Sequence, residues 1–344
     1  IRWAYDVDFG WDLVARYVMP EVNGMLEGYR ASRQWVIENR EDFERAGQAV
    51  LSKILSHEGA AAGGVRREPA ADRDREDQAR GAAQAGGGAD VKELALAHLT
   101  YPEVAARLGG GGRKVAVIPV GSTEAHGPHL PLCTDSLIGA AVAERAAVEL
   151  DRRGFVVMHF PTIHYAVTDW AGAFSGSVSI AASTAIELVL QTCAAARSMG
   201  FDRVAIFTAH LEPGHIASMR EVARRYAETH AGEALIFPDT TRRALAARLT
   251  AEYQSGSCHA GQYETSLVLA LRPELVRWEL AQALPGHPVP LAQRIREGAR
   301  DFVECGMDRA YCGTPAGASA EEGVASLGVL SELVVEAVLA GFTG

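Results

Sequence analysis

The chain has 344 residues, of which 48% are hydrophobic and 22% charged, the proportions of a globular protein with one large domain or two ordinary ones. A formal net charge of −10 argues against a nucleic-acid partner, which would require a basic face. No apolar run approaches a bilayer span and no signal-peptide pattern opens the chain, so no membrane partner and a cytoplasmic location are expected. The cysteines, Cys133, Cys193, Cys258, Cys305 and Cys312, are odd in number and form no CxxC pair, so free thiols are expected rather than a disulfide framework or a Cys-rich zinc site.

Residues 1–57 read as a helical N-terminal segment. Pro20 interrupts an apolar stretch, and from Met25 onward Leu26, Tyr29, Trp35, Val36, Phe43, Val50, Leu51 and Leu55 recur at helical spacing. The stretch YVMPEVNGMLEGYRASRQWVIENREDF resembles the C-terminal tail of luciferase-like flavin monooxygenases. That resemblance implies a fused or partner flavin monooxygenase, and it fits a chain whose first residue is Ile1. The other reading is an accessory helical hairpin packed on the main domain or on a neighbouring subunit. Residues 58–90 contain almost no large apolar side chain and mix Gly and Ala with charges of both signs, which predicts a flexible linker.

From residue 91 to the end at 344, strands alternate with helices. The pattern predicts an α/β domain, three layers α/β/α around a mostly parallel central sheet. A lead-in helix carries Leu94, Leu96 and Leu99. The expected strands are Val115–Val120, Phe155–Phe160, Arg203–Thr208 and Ala234–Phe237. The expected helices are Ser136–Arg152, Ser183–Met199 closed by Gly200, Ile216–His230, Arg242–Tyr253 and Val324–Leu339.

Three polar loops interrupt this order. The first follows Val115–Val120 and carries Glu124, His126, His129 and Asp135. The second follows Arg203–Thr208 and carries His210 and Glu212; the third holds His259 and Glu264 around Ala260-Gly261. Loops at the carboxyl ends of central parallel strands are where open α/β sheets place their sites. Imidazoles and carboxylates suit zinc, manganese or iron, and one carboxylate such as Asp135 can give an oxygen to each of two ions.

GSTEAHGPHLPLCTD, the strand-end His210 and the element HAGQYETS at 259–266 together resemble the signature of the creatininase family of metal-dependent amidohydrolases, over about 92–340. The segment WAGAFSGS at 170–177 sits where that family carries an FPGT-type turn. The resemblance implies two divalent metal ions: Glu124 and His126 on different ions, Asp135 bridging, His210 completing the first site and Glu264 the second. It implies His259 as the acid/base residue for the leaving nitrogen, Glu212 as an added ligand or water-orienting group, and His129 as a support. Trp170, Phe174 and His215, with His164 and Tyr165, are candidate pocket residues. It further implies a homo-oligomer, by analogy a hexameric ring. The second loop departs from the common NGHGGN or NGHYEN form, and Ser255 stands where creatinine hydrolases carry a ring-covering Trp, which makes creatinine a poor substrate. The expected reaction is hydrolysis of a non-peptide C–N bond, in a cyclic amide or formamide-type small molecule, by a metal-bound hydroxide. The rival readings are a peptidase of the same family that trims a small peptide and a catalytically silent metal-binding scaffold.

Overall fold

The computed structural model describes residues 93–230 and 232–343. The expected N-terminal helical segment and the linker at 58–90 lie outside the described residues.

Among the described residues three parallel strands form the sheet: β1 (Lys114–Val120), β2 (Val156–His159) and β3 (Arg203–Thr208), in the order β2-β1-β3. The central strand β1 is apolar without alternation because both of its faces are covered. Val115 and Val117 face a core with α2 (Thr134–Arg152), α7 (Gln262–Leu271) and α10 (Ala320–Gly341). Ala116, Ile118 and Val120 face a second core with α3 (Ala182–Met199) and α4 (Pro213–Thr229). Helices on both faces of a parallel sheet make the three-layer α/β/α arrangement that the sequence pattern predicts. α3 ends at Gly200, whose φ of 107° is the left-handed closure that a glycine accepts readily.

Several element boundaries depart from expectation. Ala234–Phe237 is not a strand; only Ile236 bridges to Ala205 beside β3, and the following Pro238 has no amide hydrogen to extend the ladder. The expected helix Arg242–Tyr253 is split into α5 (Arg243–Ala246) and α6 (Ala251–Ser255). Thr250 causes the break, since its hydroxyl accepts the Tyr253 N–H at 3.3 Å and starts a new helix. The lead-in helix is a 3-10 turn at Leu96–His98 followed by α1 (Tyr101–Gly109), which begins with a capping box between Thr100 and Glu103.

Between α7 and α10 the chain makes short pieces, including α8 (Trp278–Ala283) and α9 (Leu291–Arg296). Val289, Phe302, Cys305, Met307 and Cys312 from this region pack with Trp170 and Ala171 into a small satellite core beside the carboxyl edge of the sheet. Among the described residues, one helix, α10, is long and apolar enough to cross a membrane. It packs against α7 and α2, and half of its apolar window is buried inside the protein.

Candidate metal centre

Two sequence-distant loops meet because β1 and β3 are neighbours. Their register pairs Pro119 with Phe207 and Val120 with Thr208, so both strands end level at one edge of the sheet. The chain then turns at Gly121, where an added Cβ would lie 2.6 Å from the backbone N and Cα of Ser136. Only a residue without a side chain lets the start of α2 come this close. That contact brings Asp135, in the first turn of α2 rather than in the loop, beside Ser122 and Glu124.

Asp135 is 1% exposed, and its two oxygens face different partners. Oδ2 accepts the Ser122 hydroxyl at 2.7 Å and lies 3.0 Å from His210 Nδ1, which is also 3.0 Å from Glu124 Oε2. Oδ1 lies 3.4 Å from His126 Nε2, which is 3.6 Å from Glu264 Oε2. Two ligand triads result, Glu124–Asp135–His210 and His126–Asp135–Glu264, with Asp135 common to both. Glu124, His126 and His259 form a third compact group.

The fold also sets which imidazole nitrogen faces the centre. His210 Nε2 donates to the Val167 carbonyl at 2.8 Å, leaving the Nδ1 lone pair inward. His126 Nδ1 donates to the Glu124 carbonyl at 3.1 Å, leaving Nε2 inward. Fixing one ring nitrogen on a carbonyl is how metal-binding histidines are oriented. His259 is held similarly, with Nε2 on the Ala125 carbonyl at 3.1 Å and its ring 4.5 Å from that of His126.

Three observations fit these residues to divalent cations. The carboxylates of Glu124, Asp135 and Glu264 are all buried, and their ion-pair partners are histidines. His126 Nε2 is a buried ring nitrogen with no hydrogen-bond partner among the described residues. Ligand atoms around a tetrahedral ion at ~2.1 Å lie roughly 3.4 Å apart, which matches the spacing around that nitrogen. In the metal-free chain, burial opposes charge on His126, yet Asp135 first and then Glu264 and Glu124 raise its pKa to about 10. Burial would raise Asp135, but His126 and His210 hold it well below the usual range. Glu264 goes the other way: burial lifts it to about 8 against the pull of His126.

The centre opens into a cleft of about 470 Å³ counted out to its mouth. Trp170, Leu211, Pro213, Leu291, Ile295 and Phe302 make its walls, with Cys258 and Glu212. Glu212 is tied to the wall, accepting the Trp170 N–H at 3.2 Å, and its Oε2 lies 3.9 Å from His210 Nε2. Burial lifts its pKa to about 7 against the charge of His210. His129 hydrogen-bonds Thr265 at 2.9 Å and so ties the first loop to α7.

Trp170 reaches the cleft, whereas the other two candidate substrate contacts do not. His215 is fully buried behind His210, bonded through Nε2 to the Thr208 hydroxyl at 3.0 Å, and supports that loop from inside. Phe174 packs on the satellite core instead of lining the cleft. His164 and Tyr165 are exposed and also lie off the lining. Sequence reasoning missed Ser122, whose only cue was its place in the first loop. It also missed Leu291, Ile295 and Phe302, whose signal was their recurrence with Ala299 at i, i+4, i+8 and i+11, the spacing of one helical face.

A family model described as creatininase, creatinine amidohydrolase, matches residues 97–338. The chain is 30% identical over 214 residues to a mycofactocin precursor peptide peptidase of Mycobacterium ulcerans, covering 60% of this chain and 77% of that protein. It is 29% identical over 199 residues to a creatinine amidohydrolase of Pseudomonas putida, covering 54% and 74%. Among solved structures, a manganese form of creatininase superposes with a TM-score of 0.55 at 23% identity, over 74% of this chain and all of that one. A creatinine amidohydrolase homologue from Bacteroides fragilis NCTC 9343 gives 0.57 at 21%, over 72% and 96%. These two likenesses are of fold. With the family model matched over residues 97–338, most of the described α/β domain, the chain belongs to the creatininase family of amidohydrolases.

Proposed function

We propose that this hydrolase cleaves a C–N amide bond of a small, uncharged molecule at a centre of two divalent cations. The observation that carries the reading is the division of Asp135, one oxygen to each triad. Donors limited to imidazole nitrogen and carboxylate oxygen suit zinc, manganese or iron. Bound cations supply Lewis acidity toward the amide oxygen and a water that loses its proton at neutral pH.

The chain's own residues do the remaining work. His259 stands beside the two triads, its ring 4.5 Å from that of His126. An imidazole so placed can take a proton and pass it to the departing nitrogen. Trp170 and Phe302, ring centroids 6.0 Å apart, give the substrate an apolar wall that also excludes water. Glu212 is the polar group of that wall and can accept a substrate N–H.

Among the described residues the cleft lining contains no Lys or Arg and its walls are mostly apolar, which suits a neutral amide such as a cyclic amide or formamide. The peptidase reading is kept as second because relatives at 30% identity carry that name. Metal analysis of protein purified without chelator, followed by product-release assays on cyclic amides, formamides and short peptides, tests both. Fewer than two equivalents of cation would sink the two-cation centre. Turnover of peptides alone would replace the small-molecule reading with the second one.

A further inference from the structure

Glu252 is a half-buried carboxylate that the proposed chemistry does not use. It stands on α6, outside the cleft, and accepts hydrogen bonds from two main-chain amides. Oε2 takes the Tyr263 N–H at 2.7 Å and Oε1 takes the Thr314 N–H at 2.7 Å. Two glycines allow this approach. A Cβ on Gly261 would lie 2.6 Å from Oε2, and one on Gly313, where φ is +82°, would run into Oε1. One side chain therefore joins α6, the first turn of α7 and the segment 312–314.

The same knot holds the third part of the metal centre. The Cys312 N–H donates to the His259 carbonyl at 2.8 Å. Ala260 adopts a φ of +49°, unusual for a residue with a side chain, and its N–H donates to Glu264 Oε2 at 2.6 Å. That is the oxygen 3.6 Å from His126 Nε2. Glu264 is one residue beyond Tyr263, so a shift at the start of α7 moves this oxygen directly.

We propose that Glu252 is a positioning residue of the metal centre: by holding the amides of Tyr263 and Thr314 it fixes the direction in which Glu264 faces His126. The proposal rests on the two-cation reading above. A carboxamide in the same place cannot serve both donors, because its NH₂ group would face the Tyr263 or the Thr314 N–H and leave it unpaired. Loss of a partner bonded directly to a metal ligand costs about 10–100-fold in metal affinity, and Glu252 acts one bond further out, so about tenfold is expected.

The test is a cobalt(II) titration of the full chain freed of metal, followed by equilibrium dialysis and visible absorption. The wild-type chain is expected to take two equivalents. Glu252→Gln is expected to keep one at wild-type affinity, at Glu124, Asp135 and His210, and to bind the other about tenfold more weakly with an altered spectrum. Val189→Ala, a truncation in the opposite core, is the control; it lowers Tm and leaves both cobalt affinities unchanged. Two equivalents at wild-type affinity and with the wild-type spectrum in Glu252→Gln overturn the proposal, whatever happens to Tm. Where Glu252→Gln does not fold, Glu252→Asp, with the charge on a shorter arm, is judged by the same two results. Fewer than two equivalents in the wild-type chain would overturn the two-cation reading itself, a separate outcome.

Discussion

Asp135→Asn is the sharpest perturbation of the centre, because both triads depend on that side chain. Its carboxylate is buried, with one oxygen 3.4 Å from His126 and the other 3.0 Å from His210 and 2.7 Å from the Ser122 hydroxyl. Asparagine keeps the shape and removes the charge. Its NH₂ must then face either His126 or the His210–Ser122 side, so one cation meets donor hydrogens and the other a neutral oxygen. Removing one member of a buried charge pair costs about 3–5 kcal/mol. That corresponds to roughly 150- to 5,000-fold in affinity. Glu124→Gln and Glu264→Gln each alter one triad and should weaken one binding step each. Competition against a chromogenic chelator resolves both steps in all three variants. If Asp135→Asn binds both cations as tightly as wild type while Glu124→Gln loses one, the shared role of Asp135 is refuted.

His259→Ala should lower kcat by about 10²–10⁴ with metal content unchanged, measured by steady-state kinetics and elemental analysis. Loss of metal instead would move His259 into the ligand set, as its group with Glu124 and His126 allows. Phe302→Ala should raise KM for apolar amides more than it lowers kcat; an equal fall in kcat alone would remove Phe302 from the binding wall. Gly121→Ala should cost about 1–3 kcal/mol in thermal unfolding, since its Cβ meets backbone at 2.6 Å and backbone yields little. In the metal-free chain His126 is raised from 6.5 to about 10, so the folded state holds that proton more tightly than the unfolded one. The stability this contributes is complete below the unfolded value and is lost as pH rises through about 10. Tm of the metal-free chain should therefore fall between neutral pH and pH 10, and a flat profile would contradict the His126–Asp135 pairing.

The strands that build the site were legible because β1 and β3 are short apolar runs closed by polar residues. Arg203–Thr208 has the bounds that its composition predicts, and Gly200 closes α3 as a helix-ending glycine should. The residues of the first two loops were legible as chemistry, since imidazoles and carboxylates crowd each strand end. Their meeting was a matter of strand order, which periodicity does not encode; adjacency of β1 and β3 is what turns two polar loops into one centre. His215 was misplaced because the sequence shows a polar helix start, while the fold puts its ring behind His210 against Thr208. The wall at Leu291, Ile295 and Phe302 went unread for another reason. With Ala299 these residues recur at helical spacing, but only the satellite core around Trp170, built from distant segments, turns that face toward the cleft.

The way the imidazoles are anchored bears on what the altered second loop can change. His126, His210 and His259 each place one ring N–H on a main-chain carbonyl, of Glu124, Val167 and Ala125. The inward nitrogens of the two triads are thus set by the backbone before any cation arrives, which is how a ligand set becomes preorganised. Val167 belongs to the same loop as Trp170, whose amide N–H is taken by Glu212. Glu212 therefore acts on two things through one short loop: the wall that meets the substrate and the carbonyl that orients His210. Changing the sequence after His210 can then retune substrate fit and ligand orientation together while Glu124, His126, Asp135 and Glu264 stay as they are.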